Sequence, residues 1–143
     1  MRLLKILFVA LVFAAPAYAQ SKPVVVEEAW VRIYEGATSV YFHILNKGEE
    51  TDRLLEVSTP LADKAEIVST RVRSGKFTYL PLKNLEIAGG GDERFRPGGV
   101  FVRLTGVKRA LHVGDAVPLT LRFERSGHIE VSARVGNQLL GNR

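Results

Sequence analysis

The chain contains no cysteine. Disulfides, zinc–thiolate sites, iron–sulfur clusters, c-type haem attachment and a cysteine-linked lipid anchor are therefore excluded for the sequence as it stands. Its single methionine is Met1 and its single tryptophan is Trp30. Charge of one sign is not in excess either: 20 basic against 15 acidic side chains give +5. Two of the basic residues, Arg2 and Lys5, belong to an amino-terminal segment with its own logic. Long apolar runs are also missing. The one from Ile6 to Ala15 has ten residues, too short to span a bilayer.

That run, with Arg2 and Lys5 before it and Ala17-Tyr18-Ala19 after it, predicts a cleavable secretory signal over residues 1–19. The mature chain, 20–143, then carries about +3, a mild surface bias and not a nucleic-acid footprint. No membrane span remains after cleavage. The expected location is a bacterial periplasm, where a chain without disulfides must be stabilised by its core.

Period-2 alternation dominates the mature chain. Ala29, Val31 and Ile33 alternate with Trp30, Arg32 and Tyr34; Val117, Leu119, Leu121 and Phe123 alternate with Pro118, Thr120 and Arg122. Ile129, Val131, Ala133 and Val135 alternate with His128, Glu130, Ser132 and Arg134. Each segment reads as a strand with one buried side, and Ser126-Gly127 fits a tight turn between the last two. Further strands are predicted near Ser39 to Asn46, Arg53 to Ser58, Lys64 to Arg73, Phe77 to Leu80 and Val100 to Val107. Turn residues separate them at Asn46-Lys47-Gly48, Thr59-Pro60, Ser74-Gly75, Gly89-Gly90-Gly91-Asp92 and Pro97-Gly98-Gly99. No window shows a helical apolar period. The expectation is one all-β domain over 20–143, an antiparallel β-sandwich.

Catalytic patterns are missing. Gly89-Gly90-Gly91 is followed by Asp92-Glu93 and not by the Lys-Ser/Thr of a phosphate-binding loop, so it reads as a turn. No serine sits in a nucleophile elbow, and no catalytic residues are assigned; an enzyme is not expected. His43, His112 and His128 share no metal-ligand spacing.

The order of segments is more specific. Glu28-Ala29-Trp30-Val31-Arg32 precedes Val40-Tyr41-Phe42-His43-Ile44-Leu45-Asn46-Lys47-Gly48, then Asp52-Arg53-Leu54, Ser58-Thr59-Pro60-Leu61-Ala62 and Ala65-Glu66-Ile67. Leu85-Glu86-Ile87-Ala88-Gly89-Gly90, Arg96-Pro97-Gly98-Gly99 and Val117-Pro118-Leu119-Thr120-Leu121-Arg122-Phe123 follow. This arrangement resembles the periplasmic PCu(A)C copper chaperones over nearly the whole mature chain. The resemblance implies a Greek-key, cupredoxin-like sandwich. It also implies Cu(I) delivery toward the dinuclear copper site of cytochrome oxidase, often beside a Sco-type assembly partner.

Family members bind copper through a His, a Met about eleven positions on, and a His-x-Met pair about twenty-two further on, donors suited to Cu(I). That register falls here on Val68, Tyr79, Phe101 and Arg103. None of the four is a family ligand. Valine and phenylalanine have no lone pair to give, a phenol is a hard donor, and a guanidinium would repel a cation. The tail Gly136-Asn137-Gln138-Leu139-Leu140-Gly141-Asn142-Arg143 and the mature start Gln20-Ser21-Lys22 supply no His- or Met-rich substitute. No copper or other cofactor is therefore expected on the residues present.

Two readings of the altered site stay open. It is a partner patch, in which Tyr79, Phe101 and Arg103 share a face with Val68 and Arg103 lies over a ring in a cation–π contact. Or ordinary side chains have filled a vacated site. Basic residues Arg71, Arg73, Lys76, Arg94, Arg96, Lys108 and Arg109 could add a shallow anion-attracting face. Glu66, Glu86, Asp92 and Glu93 are interleaved with them, as on a solvated surface. The functional expectation is an exported accessory module meeting a periplasmic copper or oxidase-assembly protein. The alternative is a working copper chaperone with ligands relocated to His43, His112 and His128.

Overall fold

The structure is a computed structural model that describes residues 10–14 and 22–136. The predicted cleavage site and the tail beyond Gly136 lie outside the described residues. Among the described residues ten strands follow in chain order: β1 (Val24–Tyr34), β2 (Ala37–Asn46), β3 (Asp52–Ser58), β4 (Ala62–Arg73), β5 (Lys76–Pro81), β6 (Leu85–Ile87), β7 (Asp92–Arg94), β8 (Val100–Val107), β9 (Ala116–Phe123) and β10 (Gly127–Val135). Among the described residues no helix is long and apolar enough to cross a membrane.

The strands form one hydrogen-bonded sheet ordered β5-β4-β8-β2-β1-β10-β9-β3-β6, with β7 paired to the second half of β2. The sheet wraps around a single core, bringing β3 against β4 and β2 against β6. Val117, Leu119, Leu121 and Phe123 of β9 all point into that core, as the alternation requires. Phe42 and Phe95 stack there with ring centroids 4.3 Å apart.

Three local expectations need correction. The sheet is not wholly antiparallel: β1 pairs with β10 in parallel, Trp30 opposite Arg134 and Val31 opposite Val135. Alternation fixes which face a residue takes and says nothing of strand direction. β1 begins at Val24, not Ala29, because a bulge shifts the register between Glu27 and Trp30 and breaks the alternation. Glu28 sits in that bulge with φ of 54°. Finally, Asp92 and Arg94 form a strand where the glycine run suggested only a turn. A three-residue charged strand has no periodicity to detect and takes its extended shape from β2, where His43 faces Arg94.

Asp52, at the start of β3, locks the sheet's far end. Its buried carboxylate accepts the backbone N–H groups of Arg53 at 2.7 Å, Arg125 at 2.9 Å and Ser126 at 3.0 Å. The Ser126 hydroxyl donates a fourth bond at 2.6 Å. Burial alone would raise this carboxyl's pKa; the four hydrogen bonds to the ionised form outweigh burial and hold it below the usual aspartate range.

Candidate functional site

Val68, Tyr79, Phe101 and Arg103, the positions on which the resemblance sets the family's ligand spacing, fall on β4, β5 and β8, which are neighbours in the sheet. On the β4–β8 ladder Val68 lies opposite Phe101 and Glu66 opposite Arg103. On the β4–β5 ladder Val68 faces Pro81 and Thr70 faces Tyr79. Period 2 therefore puts Val68, Thr70, Tyr79, Phe101 and Arg103 on one face. The Tyr79 ring meets Phe101 edge-on, 5.6 Å between centroids. Val68, Tyr79 and Phe101 are brought together, and Arg103 stands one pleat further along.

The cluster is not the open patch the sequence suggested. Val68 is fully buried and Phe101 is 7% exposed; only Tyr79, at 46%, is substantially open. Neighbouring strands supply the cover, since Tyr41 of β2 lies beside Phe101 with centroids 6.0 Å apart. Arg103 also departs from expectation. Among the described residues it makes no cation–π contact and instead donates to Glu66 Oε2 at 3.0 Å. A charge-assisted hydrogen bond is stronger than a ring contact at a half-exposed site. The Glu66 carboxyl is held below the ordinary glutamate range, first by its hydrogen bond from Lys64 and then by Arg103.

Around Tyr79 and Phe101 the face folds into a groove of about 360 Å³. β1 contributes Arg32 and Tyr34, β2 contributes Ser39 and Tyr41, the β4–β5 hairpin contributes Thr70 and Phe77, and Pro97-Gly98 closes one end. Beside Tyr41 on the same face Trp30 packs at 4.6 Å between centroids. Arg32 lies over the Tyr34 ring, 5.0 Å from its centroid. Tyr34, Phe77 and Tyr79 form an exposed aromatic rim. The Thr70 hydroxyl oxygen is buried and has no hydrogen-bond partner among the described residues, although the Thr70 backbone N–H is satisfied by the Gly99 carbonyl at 3.0 Å.

Arg32, Tyr34, Tyr41, Thr70 and Phe77 were missed as site residues. Alternation did place Arg32 and Tyr34 on one face of β1. That β1 and β2 share a groove with β5 depends on sheet order, which no local pattern encodes.

The basic residues do not form one face. Arg94 pairs with Glu28 at 2.6 Å and Lys108 with Asp63 at 3.9 Å. Arg71 and Arg73 alternate with Thr70 and so point away from the groove.

His43, on β2, is buried in a polar cluster. Its Nε2 is 2.7 Å from Asp92 Oδ2 and its Nδ1 is 3.0 Å from an Arg94 nitrogen. A guanidinium can only donate, so Nδ1 accepts and the Nε2 proton goes to Asp92. Both ring nitrogens are engaged. The same Arg94, by hydrogen bond and charge, lowers the pKa of Glu28. His112 lies in the β8–β9 connection and His128 at the start of β10. Among the described residues no three His, Asp or Glu side chains are spaced to hold a metal ion.

Comparison with known proteins agrees with this architecture. The lipoprotein LpqE-like family matches residues 24–135, all ten strands. A Leifsonia xyli subsp. xyli protein named as a lipoprotein, Lxx21020, is 28% identical over 106 residues, 73% of this chain; the chain spans 64% of that relative's length. Among solved structures, the copper-bound PCuAC domain from PmoF2 superposes with a TM-score of 0.68 at 24% identity, covering 83% of this chain and 96% of that domain. Cu(I)-bound DR1885 from Deinococcus radiodurans gives 0.65 at 26% identity, covering 85% of this chain and 83% of that one. The fold is thus the cupredoxin-like β-sandwich of PCuAC domains. With the match running from the first strand to the last, the chain belongs to the LpqE-like family, a relative of the PCuAC copper chaperones.

Proposed function

We propose that this protein is an exported accessory module on the PCuAC framework that acts through protein contacts and does not carry Cu(I) in the family manner. One observation carries the reading. At the positions corresponding to copper ligands the sheet gathers Val68, Tyr79 and Phe101, while Arg103 is tied to Glu66. These residues do not fit copper: the set holds no imidazole and no thioether, and it adds a fixed positive charge. What the cluster offers instead is a groove with aromatic residues and arginine, side chains enriched where proteins meet.

Export is supported by the charged start, apolar run and small-x-small site of residues 1–19, and by the lipoprotein naming of the relative. The proposed setting is the periplasm, with a copper or oxidase-assembly protein as partner and no chemical step catalysed by this chain.

The test is a Cu(I) titration of the mature protein against a chromophoric Cu(I) chelator under reducing conditions. The chelator should keep all the copper. One equivalent held by the protein at sub-nanomolar affinity would overturn the reading.

A further inference from the structure

Two polar clusters away from Val68, Tyr79, Phe101 and Arg103 are internally satisfied. The His43–Asp92–Arg94–Glu28 cluster is closed on itself, with each polar group already partnered. The cleft beside Asp52 and Arg125 belongs to the turn that Asp52 ties together. The aromatic groove differs from both because Arg32, one of its lining residues, makes no ion pair among the described residues.

Two properties define what it would accept. First, none of its eleven lining residues is a carboxylate, while Arg32 puts a guanidinium into it. That guanidinium makes no ion pair among the described residues and rests on the Tyr34 ring. Glu35, outside the lining, raises the Tyr34 phenol's pKa by hydrogen bond and by charge. Second, the walls are flat and apolar: Phe101 and Tyr41 at the base, Tyr34, Phe77 and Tyr79 at the rim. A cation without an ion pair beside ring faces calls for an occupant with an apolar ring next to a carboxylate.

We infer that this groove docks a segment of a partner protein in which an aromatic side chain is flanked by acidic residues. The ring stacks between Phe77 and Tyr79, and a neighbouring carboxylate accepts from Arg32. Charge complementarity decides the occupant. A second copy of this chain would bring a further Arg32 into an already cationic groove. At about 360 Å³ the space suits one aromatic side chain with its neighbours and not a folded surface. The inference rests on the reading of the module as one that makes protein contacts, and names the chemistry of the partner.

The experiment uses the mature protein labelled with ¹⁵N and two blocked tripeptides, acetyl-Glu-Phe-Glu-amide and acetyl-Gln-Phe-Gln-amide. Both are titrated while amide shifts are followed. The acidic peptide should move the amides of Arg32, Tyr34, Ser39, Thr70, Tyr79 and Phe101, and bind about tenfold more tightly than the neutral one. Arg32→Gln should remove that preference, and Phe77→Ser, at a position 65% exposed, should weaken both peptides alike with the spectrum otherwise intact. Shifts centred elsewhere, equal affinity for the two peptides, or a preference that survives Arg32→Gln would each overturn the inference. So would phenylacetate binding at least as tightly as the acidic peptide, which would reassign the groove to a small anion. The copper titration is read independently, so either proposal can fail alone.

Discussion

Replacing Asp52 tests whether one buried carboxylate organises the end of the sandwich remote from the groove. In Asp52→Ala four donors lose their acceptor: the N–H groups of Arg53, Arg125 and Ser126, and the Ser126 hydroxyl. The first two are only partly buried and can turn to water. The Ser126 pair is buried, and each orphaned donor there costs about 1–3 kcal/mol. The expected loss is about 4 kcal/mol, a large part of the roughly 5–15 kcal/mol that holds a domain folded. Asp52→Asn keeps an acceptor for Arg53 and Arg125 but turns an amide N–H₂ toward the Ser126 N–H, for a loss of about 2 kcal/mol. The pH dependence has a fixed sign. Because the folded-state pKa lies below the unfolded value of about 3.9, this stabilisation is complete above that value and fades as pH falls through the folded pKa. The gap between wild type and Asp52→Asn should therefore narrow from pH 7 to pH 3. Urea unfolding followed by the fluorescence of Trp30, the single tryptophan, reads both quantities. A variant within about 0.5 kcal/mol of wild type at pH 7, or a gap unchanged at pH 3, would refute this account.

Two further predictions concern close packing and the altered metal positions. A Cβ on Gly89 would lie 2.0 Å from the Glu49 carbonyl oxygen, a backbone atom that cannot swing aside, whereas one on Gly90 meets nothing within 4 Å. Gly89→Ala should thus cost about 3 kcal/mol or more, and Gly90→Ala only the roughly 1 kcal/mol of its positive φ, as measured by denaturant midpoints. Rebuilding the family ligands as Val68→His, Tyr79→Met, Phe101→His and Arg103→Met should confer Cu(I) binding. Val68 and Phe101 are directly opposed, so their Cβ atoms are about 5 Å apart and two imidazoles can reach one ion. Loss of the buried Phe101 ring should lower apo stability by about 3–5 kcal/mol, with part regained on adding Cu(I). A folded quadruple variant that leaves all copper with the chelator would refute the assigned register.

Much of the fold could be read from side-chain order alone. The inward residues of β9 and β10 follow from strict alternation, and β8 from Val100 to Val107 matches its predicted span. The turns at Ser74-Gly75 and Ser126-Gly127 follow from chemistry that tolerates positive φ, which Ser74, Gly75 and Gly127 adopt. That Val68, Tyr79, Phe101 and Arg103 lack the donors of a Cu(I) site could be read as well, because donor chemistry is a property of the side chain and needs no coordinates.

Other features depended on the assembled sheet. Alternation cannot tell a parallel from an antiparallel neighbour, so the β1–β10 pairing was hidden. It could place Phe101 on the face of Arg103 but not show that Tyr41 would cover it. The partner of Arg103 was equally open: Glu66 is 37 residues away in sequence, and only the β4–β8 register sets the two side by side. The groove is the clearest case. Arg32, Thr70, Phe77 and Phe101 come from four separate strands, and a site of that kind exists only once the order β5-β4-β8-β2-β1 has been formed. Residue identity determined the donor chemistry of Val68, Tyr79, Phe101 and Arg103, and the curvature and order of the sheet decided which side chains stand around them.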